Sequence, residues 1–495
     1  MDQKAKPRAV VIGSGFGGLA AAIRLGARGY QVTVLEKLDQ PGGRAYVYRQ
    51  DGFTFDAGPT IVTAPFLLEE LWELCGRQLS DDIDLQSLSP FYRIRFDDGT
   101  YFDYSGDDAA MDEQISKFNP ADAAGFQRLL RASARLYDVG FDKLLNVSFD
   151  SLGKMLSTVP DLLRCQFYRS VYSLVCSYIK HPKLRQVFSF HPLLVGGNPL
   201  TATAIYVLIA QLERKHGVHF AMGGTGSLVR GMVNLIEGQG GRLRLNQTVK
   251  QIRVEGGRAT GVELESGEQV DADVVVSNAD SAATYRYLLS ESHRKRWTNR
   301  KLERSRYSMS LVVWYFGTNR QYPEVPHHMI MLGPRYEPLL RDIFDRKVLA
   351  DDFSLYLHRP TASDPSLAPA GCDCFYVLSP VPNLDADIDW AEMAEPYRRR
   401  IARKLSDTVL PDLESHVISS RMLTPPDFQD RLFSLKGAAF GLEPVLTQTA
   451  WFRPHNRSED IPGLYLVGAG THPGAGMPGV ISSAKVLDEV VPDPA

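Results

Sequence analysis

The feature that most constrains the fold of this sequence is a glycine-rich turn between a short strand and an alanine-rich helix, near the amino terminus. Arg8 to Ile12 is rich in β-branched residues, Phe16 to Arg28 has the small apolar residues of a closely packed helix, and Gln31 to Leu35 is a second β-branched run. This order predicts a β-α-β unit, and such units build parallel sheets. We therefore expect the chain to fold around a parallel sheet of the Rossmann type.

The turn itself, Gly13-Ser14-Gly15-Phe16-Gly17-Gly18, follows the pattern G-x-G-x-x-G. In this pattern Gly13 permits the tight turn, Gly15 lets a pyrophosphate approach the backbone, and Gly18 lets the helix lie close to the sheet. The amino end of the helix stabilises the phosphate charge. We therefore predict that this loop, including Phe16 and Gly17, binds a dinucleotide.

An acidic residue at the end of the second strand indicates which dinucleotide is bound. Glu36 follows directly after Leu35, where a carboxylate accepts hydrogen bonds from the adenosine ribose and disfavours a 2′-phosphate. The pattern predicts FAD or NAD in preference to NADP. Lys37, the next residue, is predicted to belong to the same site.

Two further glycine turns follow closely in the sequence. Gly42-Gly43-Arg44 is expected to bring a guanidinium group and flexible backbone to a phosphate or to the edge of a flavin. The second turn is Gly58-Pro59-Thr60. We predict that cofactor contacts come from Gly43, Arg44, Gly58, Pro59 and Thr60.

Length, charge and cysteine usage exclude several other classes of protein. A chain of 495 residues exceeds one ordinary core, so two or more domains are expected. The formal net charge of −3 argues against a nucleic-acid-binding protein, which needs a basic excess to neutralise phosphates. Five cysteines without a Cys-x-x-Cys pair argue against a disulfide scaffold or a zinc site and fit a reducing cytosol. We predict no metal.

Two later segments have the same strand and helix character. Residues 215 to 280 contain a glycine turn, an amphipathic helix and a valine run ending at Ser277, and residues 464 to 485 contain a strand, a glycine-rich loop and a helix. We predict an α/β fold in which a Rossmann-like dinucleotide-binding domain is assembled from residues 1–85, 215–285 and 455–495. Residues 86–214 and 286–454 are predicted to form an inserted α+β substrate domain with a helical part.

The sequence resembles the bacterial-type phytoene desaturases of the carotenoid desaturase and flavin amine oxidase superfamily. The resemblance rests on motifs that occur in order along nearly the whole chain: PGGRAYVY, GFTFDAGPT, FSFHPLLVGGNP, SLYLHRP and EPVLTQTAWFRPHNRSEDIPGLYLVGAGTHPGAGMPGV. The amino-terminal motifs are shared across the superfamily, and the carboxy-terminal one is much more specific. The resemblance implies the FAD-binding fold known as GR2 or flavin amine oxidase-like.

The resemblance also implies that the two ends of the chain hold the two ends of one FAD. The glycine loop after the first strand and Glu36 would take the pyrophosphate and the adenosine ribose. Val249 would contact adenine through its backbone, and Asn278 closes the adjoining strand. The flavin end would be held by the carboxy-terminal loop and helix start, through Gly468, Gly470, Thr471, Met477, Pro478, Gly479 and Val480.

The implied reaction is successive desaturation of phytoene to lycopene or neurosporene. Each step removes a hydride and a proton from a CH2–CH2 unit next to a polyene, and placement of the substrate at the flavin supplies most of the rate. An allylic cation is acidic enough for a weak base, so no catalytic triad is expected, and none is visible in the sequence. His472, Glu443 and Asp280 are candidate proton acceptors.

Partners and location follow from the same resemblance. The substrate lies in lipid, so the enzyme is expected to be cytoplasmic and to bind the membrane surface peripherally, with quinone or oxygen reoxidising the flavin. The helical stretch from Leu162 to Phe190 and the uncharged stretch from Pro192 to Gln211 are candidates for the membrane contact or for the wall of a substrate tunnel. A glycine-proline break within the uncharged stretch argues against a spanning helix. The oligomeric state is left open.

Two alternatives remain at this stage. One is another flavin oxidase of the superfamily, acting on an amine, a porphyrinogen or a retinoid; the carboxy-terminal loop lacks the aromatic cage that an amine substrate usually requires. The other is a non-enzymatic isoprenoid-binding protein similar to the Rab GDP-dissociation inhibitors. The ribose acid and the complete flavin loop argue against the second alternative.

Overall fold

The computed structural model of the protein describes residues 6–494. Short 3-10 and π turns join its strands and helices. The strands are β1 Arg8–Ile12, β2 Gln31–Leu35, β3 Val47–Gln50, β4 Phe53–Asp56, β5 Leu85–Ser87, β6 Tyr92–Arg95, β7 Tyr101–Tyr104, β8 His219–Ala221, β9 Arg242–Arg244, β10 Val249–Glu255, β11 Arg258–Leu264, β12 Gln269–Asp271, β13 Val274–Ser277, β14 Ser310–Thr318, β15 His328–Met331, β16 Leu355–His358, β17 Asp373–Val381, β18 Val417–Leu423 and β19 Leu464–Leu466. The α-helices are α1 Phe16–Ala27, α2 Pro65–Glu73, α3 Asp108–Phe118, α4 Ala123–Tyr137, α5 Leu152–Arg164, α6 Val171–Cys176, α7 Pro182–Ser189, α8 Leu208–His216, α9 Thr225–Gly238, α10 Ser281–Tyr287, α11 Asn299–Arg304, α12 Tyr336–Arg341, α13 Trp390–Ser406, α14 Leu413–His416, α15 Pro425–Asp430, α16 Met477–Lys485 and α17 Leu487–Val490.

The first sheet is parallel and has the strand order β19-β13-β1-β2-β9. Its strands come from the amino terminus, from the middle of the chain and from the carboxy terminus. The predicted Rossmann-like sheet assembled from separate segments is therefore confirmed, and the first two strands have the predicted bounds. The exact domain boundaries given above stay predictions.

Burial on both faces explains why these strands are continuous apolar runs. Helix α1 packs against α9 and α16 on one face of the sheet, and Leu19, Ile23, Val34 and Val276 are buried in this core. The other face carries a separate core that includes Val10. A strand covered on both faces loses the alternation of polar and apolar residues.

The second large sheet is mixed and has the order β18-β14-β17-β16-β15-β6-β7. Its neighbours are antiparallel except for the parallel pair β15 and β6. All its strands lie in the segments predicted to form the substrate domain, and this confirms the α+β character of that region. Strand β14, between β18 and β17, is buried along its whole length, so this part of the sheet is also covered on both faces.

A three-stranded antiparallel meander, β10-β11-β12, lies between β9 and β13 in the sequence. The turn between its first two strands is short, because β10 ends at Glu255 and β11 begins at Arg258. Gly256 and Gly257 both have positive φ angles, of 57° and 79°. Only residues without a Cβ adopt this backbone readily.

The uncharged stretch after Pro192 forms two 3-10 turns, His191–Val195 and Ala204–Val207, and then enters α8. Within residues 6–494, no helix is long and apolar enough to cross a bilayer. Ile205, Leu208 and Ile209 of this stretch line the central cavity described below. This part of the stretch therefore lies at the cavity wall, and its predicted contact with substrate or membrane stays a prediction.

Candidate functional site

One continuous cavity of about 1250 Å³ extends from the glycine loop after β1 into the helical region. Segments from both ends of the chain line one part of it, and apolar side chains from α5, α8, β14 and β15 line the rest. The parallel sheet explains this convergence. Because β1 and β19 flank β13 in parallel, the loops that follow these three strands emerge at the same edge of the sheet.

The glycine loop after β1 lies at the cavity wall. Gly13 has a φ of +88°, and Gly15, Phe16 and Gly17 line the cavity together with it. Gly18 is not among the lining residues. A Cβ at Gly18 would collide with the backbone oxygen of Gly13, so this glycine serves the close approach of helix and strand.

Glu36 is buried at the end of β2 and lines the cavity. Its Oε2 accepts hydrogen bonds from the backbone N–H of Ser14 (2.8 Å) and from the Ser14 hydroxyl (2.6 Å). Its Oε1 accepts the backbone N–H of Leu38 (2.9 Å). A carboxylate offers about four lone-pair positions, so one acceptor position remains for a ribose hydroxyl. The geometry fits the predicted role.

The turn at Gly43–Ala45 holds Arg44 at the cavity wall, beside Gly58, Pro59 and Thr60. The Arg44 guanidinium donates through Nε to the carbonyl of Ala439 (2.7 Å) and through Nη2 to Ser434 Oγ (2.8 Å). Burial lowers the pKa of Arg44, and the nearby Asp280 opposes this shift. Arg44 thus joins the dinucleotide-binding segment to the loop that contains Ser434 and Ala439.

The residues predicted for the adenine side also line the cavity. Val249 begins β10, and Lys37 donates through Nζ to the carbonyl of Asp430 (2.7 Å). Asn278 follows β13, and its side chain lies between the glycine loop and the carboxy-terminal loop. A Cβ at Gly17 would lie 2.6 Å from Asn278 Oδ1, and one at Gly468 would lie 2.7 Å from the same atom.

The carboxy-terminal loop lines the cavity through Gly468 and through the first turn of α16, from Met477 to Val480. The N–H groups of that turn place a partial positive charge at the cavity. Gly470 and Thr471 lie off the cavity wall. A Cβ at Gly470 would collide with Ser281 Oγ, and the Thr471 hydroxyl donates to the carbonyl of Pro454 (2.6 Å). Both residues shape the loop.

The three candidate proton acceptors occupy different environments. His472 lines the cavity, its Nε2 lies 2.8 Å from the carbonyl of Leu144, and burial lowers its pKa to about 4. Asp280 also lines the cavity, but its carboxylate caps α10 by accepting the N–H of Ala283. Glu443 lies off the cavity and binds Arg306 and Thr201.

Sequence reasoning missed a group of polar side chains next to Thr60. Tyr356 and Tyr376 line the cavity, and the Tyr376 hydroxyl lies 2.8 Å from Thr60 Oγ1. Behind them lie His327, His328 and His358, named here the histidine cluster, whose ring nitrogens lie within 4.8 Å of one another. The pair His327-His328 and the motif SLYLHRP contain these residues, but they are separated in sequence and meet only through the pairing of β15 with β16.

The arrangement as a whole fits a flavin dinucleotide. Eighteen of the predicted contacts line the same cavity: Gly13, Gly15, Phe16, Gly17, Glu36, Lys37, Gly43, Arg44, Gly58, Pro59, Thr60, Val249, Asn278, Gly468, Met477, Pro478, Gly479 and Val480. They include an acidic side chain for a ribose, a glycine loop and helix start for phosphates, and a second helix start at α16. Most of the other lining residues are apolar, and a smaller number are polar, among them Tyr356 and Tyr376.

Comparisons with known proteins agree with this arrangement. Residues 16–486 match the family model described as flavin containing amine oxidoreductase. The chain is 50% identical over 479 residues to a lycopene-forming phytoene desaturase of Pseudescherichia vulneris, covering 97% of both chains. It is 47% identical over 491 residues to a neurosporene-forming phytoene desaturase of Cereibacter sphaeroides, covering 98% of this chain and 95% of the relative.

A solved structure of wild-type putrescine oxidase bound to putrescine has the same fold. The TM-score is 0.65 at 14% sequence identity, with 98% of this chain and 99% of that chain covered. At this identity the likeness concerns the fold alone.

Replacement of Glu36 by Gln tests the ribose contact. The side-chain amide would point an N–H group at the N–H of Ser14 or of Leu38, and two donors repel each other. It would also remove the negative charge that accepts hydrogen bonds from the ribose. We expect the dissociation constant for FAD to rise about 10- to 100-fold, measured by quenching of flavin fluorescence. Glu69→Gln, the same change at an exposed position of α2, should bind FAD like the unmodified protein. An unchanged FAD affinity in folded Glu36→Gln would contradict the assignment.

Proposed function

The chain belongs to the flavin containing amine oxidoreductase family, and from this premise we propose that it is an FAD-dependent phytoene desaturase forming lycopene or neurosporene. The observation that carries the proposal is the division of the cavity into a dinucleotide-binding part and an apolar part. The curated relatives, at 47–50% identity over nearly the full length, are named for this reaction. Bound FAD supplies the hydride acceptor.

The residues around the polar part hold the cofactor. The glycine loop and the start of α1 receive the pyrophosphate, Glu36 receives the ribose, and Arg44 fixes the loop that closes over them. The first turn of α16 directs backbone N–H groups into the cavity, where they stabilise negative charge. Gly479 lets the loop before α16 fold closely against the first turn of this helix, because a Cβ there would lie 2.5 Å from the carbonyl oxygen of Gly474.

The apolar part suits a hydrocarbon substrate. Side chains such as Leu194, Leu208, Leu311 and Ile330 line it and come from four different elements. They offer a polyene no hydrogen bonds, so the chain is held by burial and shape. Exclusion of water also protects an allylic cation from capture by a water molecule. Position relative to the cofactor therefore decides which carbon atoms react.

Exposed apolar side chains lie next to, or among, the residues that line one part of the cavity. In three adjacent pairs the first residue lines the cavity and the second is exposed: Met155 and Leu156, Leu162 and Leu163, Phe167 and Tyr168. Leu446 and Phe452 both line the cavity and are exposed. Arg164 lies on the same helix, α5. Such a surface suits the interface of a bilayer, so we propose that the membrane contact lies here. We also propose that quinone or oxygen is the final electron acceptor.

The membrane contact is tested with the double variant Leu156→Glu/Leu163→Glu. Two charges in place of exposed leucines should weaken binding to phospholipid vesicles roughly tenfold or more, measured by co-sedimentation with vesicles of mixed neutral and anionic lipids. Val348→Glu/Ile418→Glu makes the same change at exposed residues that do not line the cavity and should bind like the unmodified protein. Equal binding by all three proteins would exclude this surface.

The substrate assignment is tested by incubating the FAD-loaded protein with phytoene in liposomes, without oxygen and with a quinone. We expect structured visible absorption from a lengthened polyene, and chromatography of the products then counts the double bonds introduced. Neurosporene corresponds to three new double bonds and lycopene to four. Unchanged phytoene despite bound FAD would reject the substrate and leave another oxidase of the family.

A further inference from the structure

A cavity for a hydrocarbon has little need of tyrosine hydroxyls, yet two of them meet beside the proposed cofactor. The Tyr376 hydroxyl lies 2.8 Å from Thr60 Oγ1 and 3.3 Å from the carbonyl of Gly58. The Tyr356 hydroxyl lies 3.5 Å from Thr60 Oγ1. Both Gly58 and Thr60 are predicted cofactor contacts. These hydroxyls therefore lie beside two of the predicted cofactor contacts.

From Tyr356 a chain of polar atoms leads away from the cavity. Tyr356 Oη lies 2.7 Å from Nδ1 of His328, and Nδ1 of His358 lies 3.3 Å from the same atom. The His327 ring lies edge-on to both of these rings, with centroid distances of 4.5 and 4.8 Å. Nδ1 of His327 lies 2.7 Å from Ser363 Oγ, and Ser363 is partly exposed to solvent.

The three imidazoles of the histidine cluster are almost completely buried and are neutral at rest. Burial lowers the pKa of His327 to about 3, with help from the nearby Arg359 cation, and it lowers the pKa of His328 and His358 well below the usual value. Each ring has an Nε2 atom without a hydrogen-bond partner. Buried polar atoms are normally paired, so three free nitrogens in one cluster call for a function.

We infer that Tyr356 accepts the proton lost at each desaturation step and that the histidine cluster passes it to Ser363 at the surface. This inference rests on the proposed desaturase function. It assigns a role in the reaction to five residues outside the cofactor contacts.

Each desaturation step breaks two neighbouring C–H bonds of the substrate. One C–H bond of the substrate breaks with its electron pair, which leaves as hydride to the cofactor. The neighbouring C–H bond gives its electron pair to the new C=C bond and its proton to Tyr356 Oη, while the phenolic proton moves to Nδ1 of His328. Tyr356 is then neutral again, and the positive charge resides on the histidine cluster until a proton leaves through Ser363.

The distances support the order of transfer. The first and last contacts are hydrogen bonds of 2.7 Å, and the contact between His328 and His358 is 3.3 Å. The transfer to His327 spans up to 4.8 Å and requires a turn of its ring. Weak basicity is no obstacle, because an allylic cation is a far stronger acid than an imidazolium.

The three proton acceptors considered from the sequence are less suited to this role. Asp280 is engaged in capping α10, and Glu443 lies off the cavity, paired with Arg306. His472 has its Nε2 at the carbonyl of Leu144. Tyr356 lines the cavity, is incompletely buried, and leads from there by named contacts to a partly exposed side chain.

The variant Tyr356→Phe keeps the ring and removes only the hydroxyl. We expect turnover of phytoene to fall about 10- to 100-fold, with an unchanged dissociation constant for FAD and loss of the solvent deuterium isotope effect on turnover. His328→Gln should lower turnover similarly, and the double variant should be no slower than the slower single variant, because residues acting in one chain are not additive. Tyr315→Phe is the matched control, because Tyr315 lies in the same sheet as Tyr356 and its hydroxyl donates to the carbonyl of Ala57. This variant should keep the isotope effect.

Three results would overturn the inference while the unmodified protein still converts phytoene. The first is wild-type turnover in Tyr356→Phe. The second is a lower turnover that is matched by Tyr315→Phe and accompanied by weaker FAD binding, which indicates a structural role. The third is one equivalent of bound zinc that is lost in His328→Gln, measured by elemental analysis, because a metal would occupy the nitrogen lone pairs that the transfer needs. If the unmodified protein converts no phytoene, the proposed function fails first.

Discussion

The parallel pairing of β1 with β13, and of β13 with β19, is the constraint on which the rest of the structure depends. It brings residues 8–12, 274–277 and 464–466 side by side. The glycine loop, Asn278 and the carboxy-terminal loop then meet at one edge of the sheet. Asn278 fills the space between the loops so closely that glycine is required at Gly17 and Gly468. A cofactor as long as FAD can be held along its length only because these segments share that edge.

The same arrangement explains how two kinds of environment share one cavity. The dinucleotide-binding part is built mainly from backbone at glycines and helix starts, which bind phosphate and ribose groups without bulky side chains. The second sheet and the helical region supply the apolar part. Arg44 connects the two through its bonds to Ser434 and Ala439. Rigid placement of the two parts is what a reaction without a strong general base needs.

A group of polar side chains from separate segments lies together at one wall of the cavity. Thr60, Tyr356 and Tyr376 lie beside the cofactor contacts, with the histidine cluster behind them. Burying so many polar atoms costs stability unless they are paired, and the three Nε2 atoms are unpaired. A proton-transfer chain gives this cost a chemical reason.

Much of the fold and most of the cofactor contacts could be predicted from the sequence, because glycine positions and the ribose acid act through local backbone geometry. Gly13, Gly15 and Glu36 have the same meaning wherever a β-α-β unit places them. The role of Gly18 in the close packing of helix and sheet was predicted, but the roles of Gly470 and Thr471 depend on what packs against them, so their position off the cavity wall followed only from the fold. The histidine cluster could not be predicted, because His328 and His358 meet only through strand pairing. The sequence by itself determined the nucleotide-binding unit and the family resemblance, because both reside in short contiguous motifs. Only the tertiary structure decided which distant polar groups share a wall of the cavity, because long-range strand register is not encoded in any single segment.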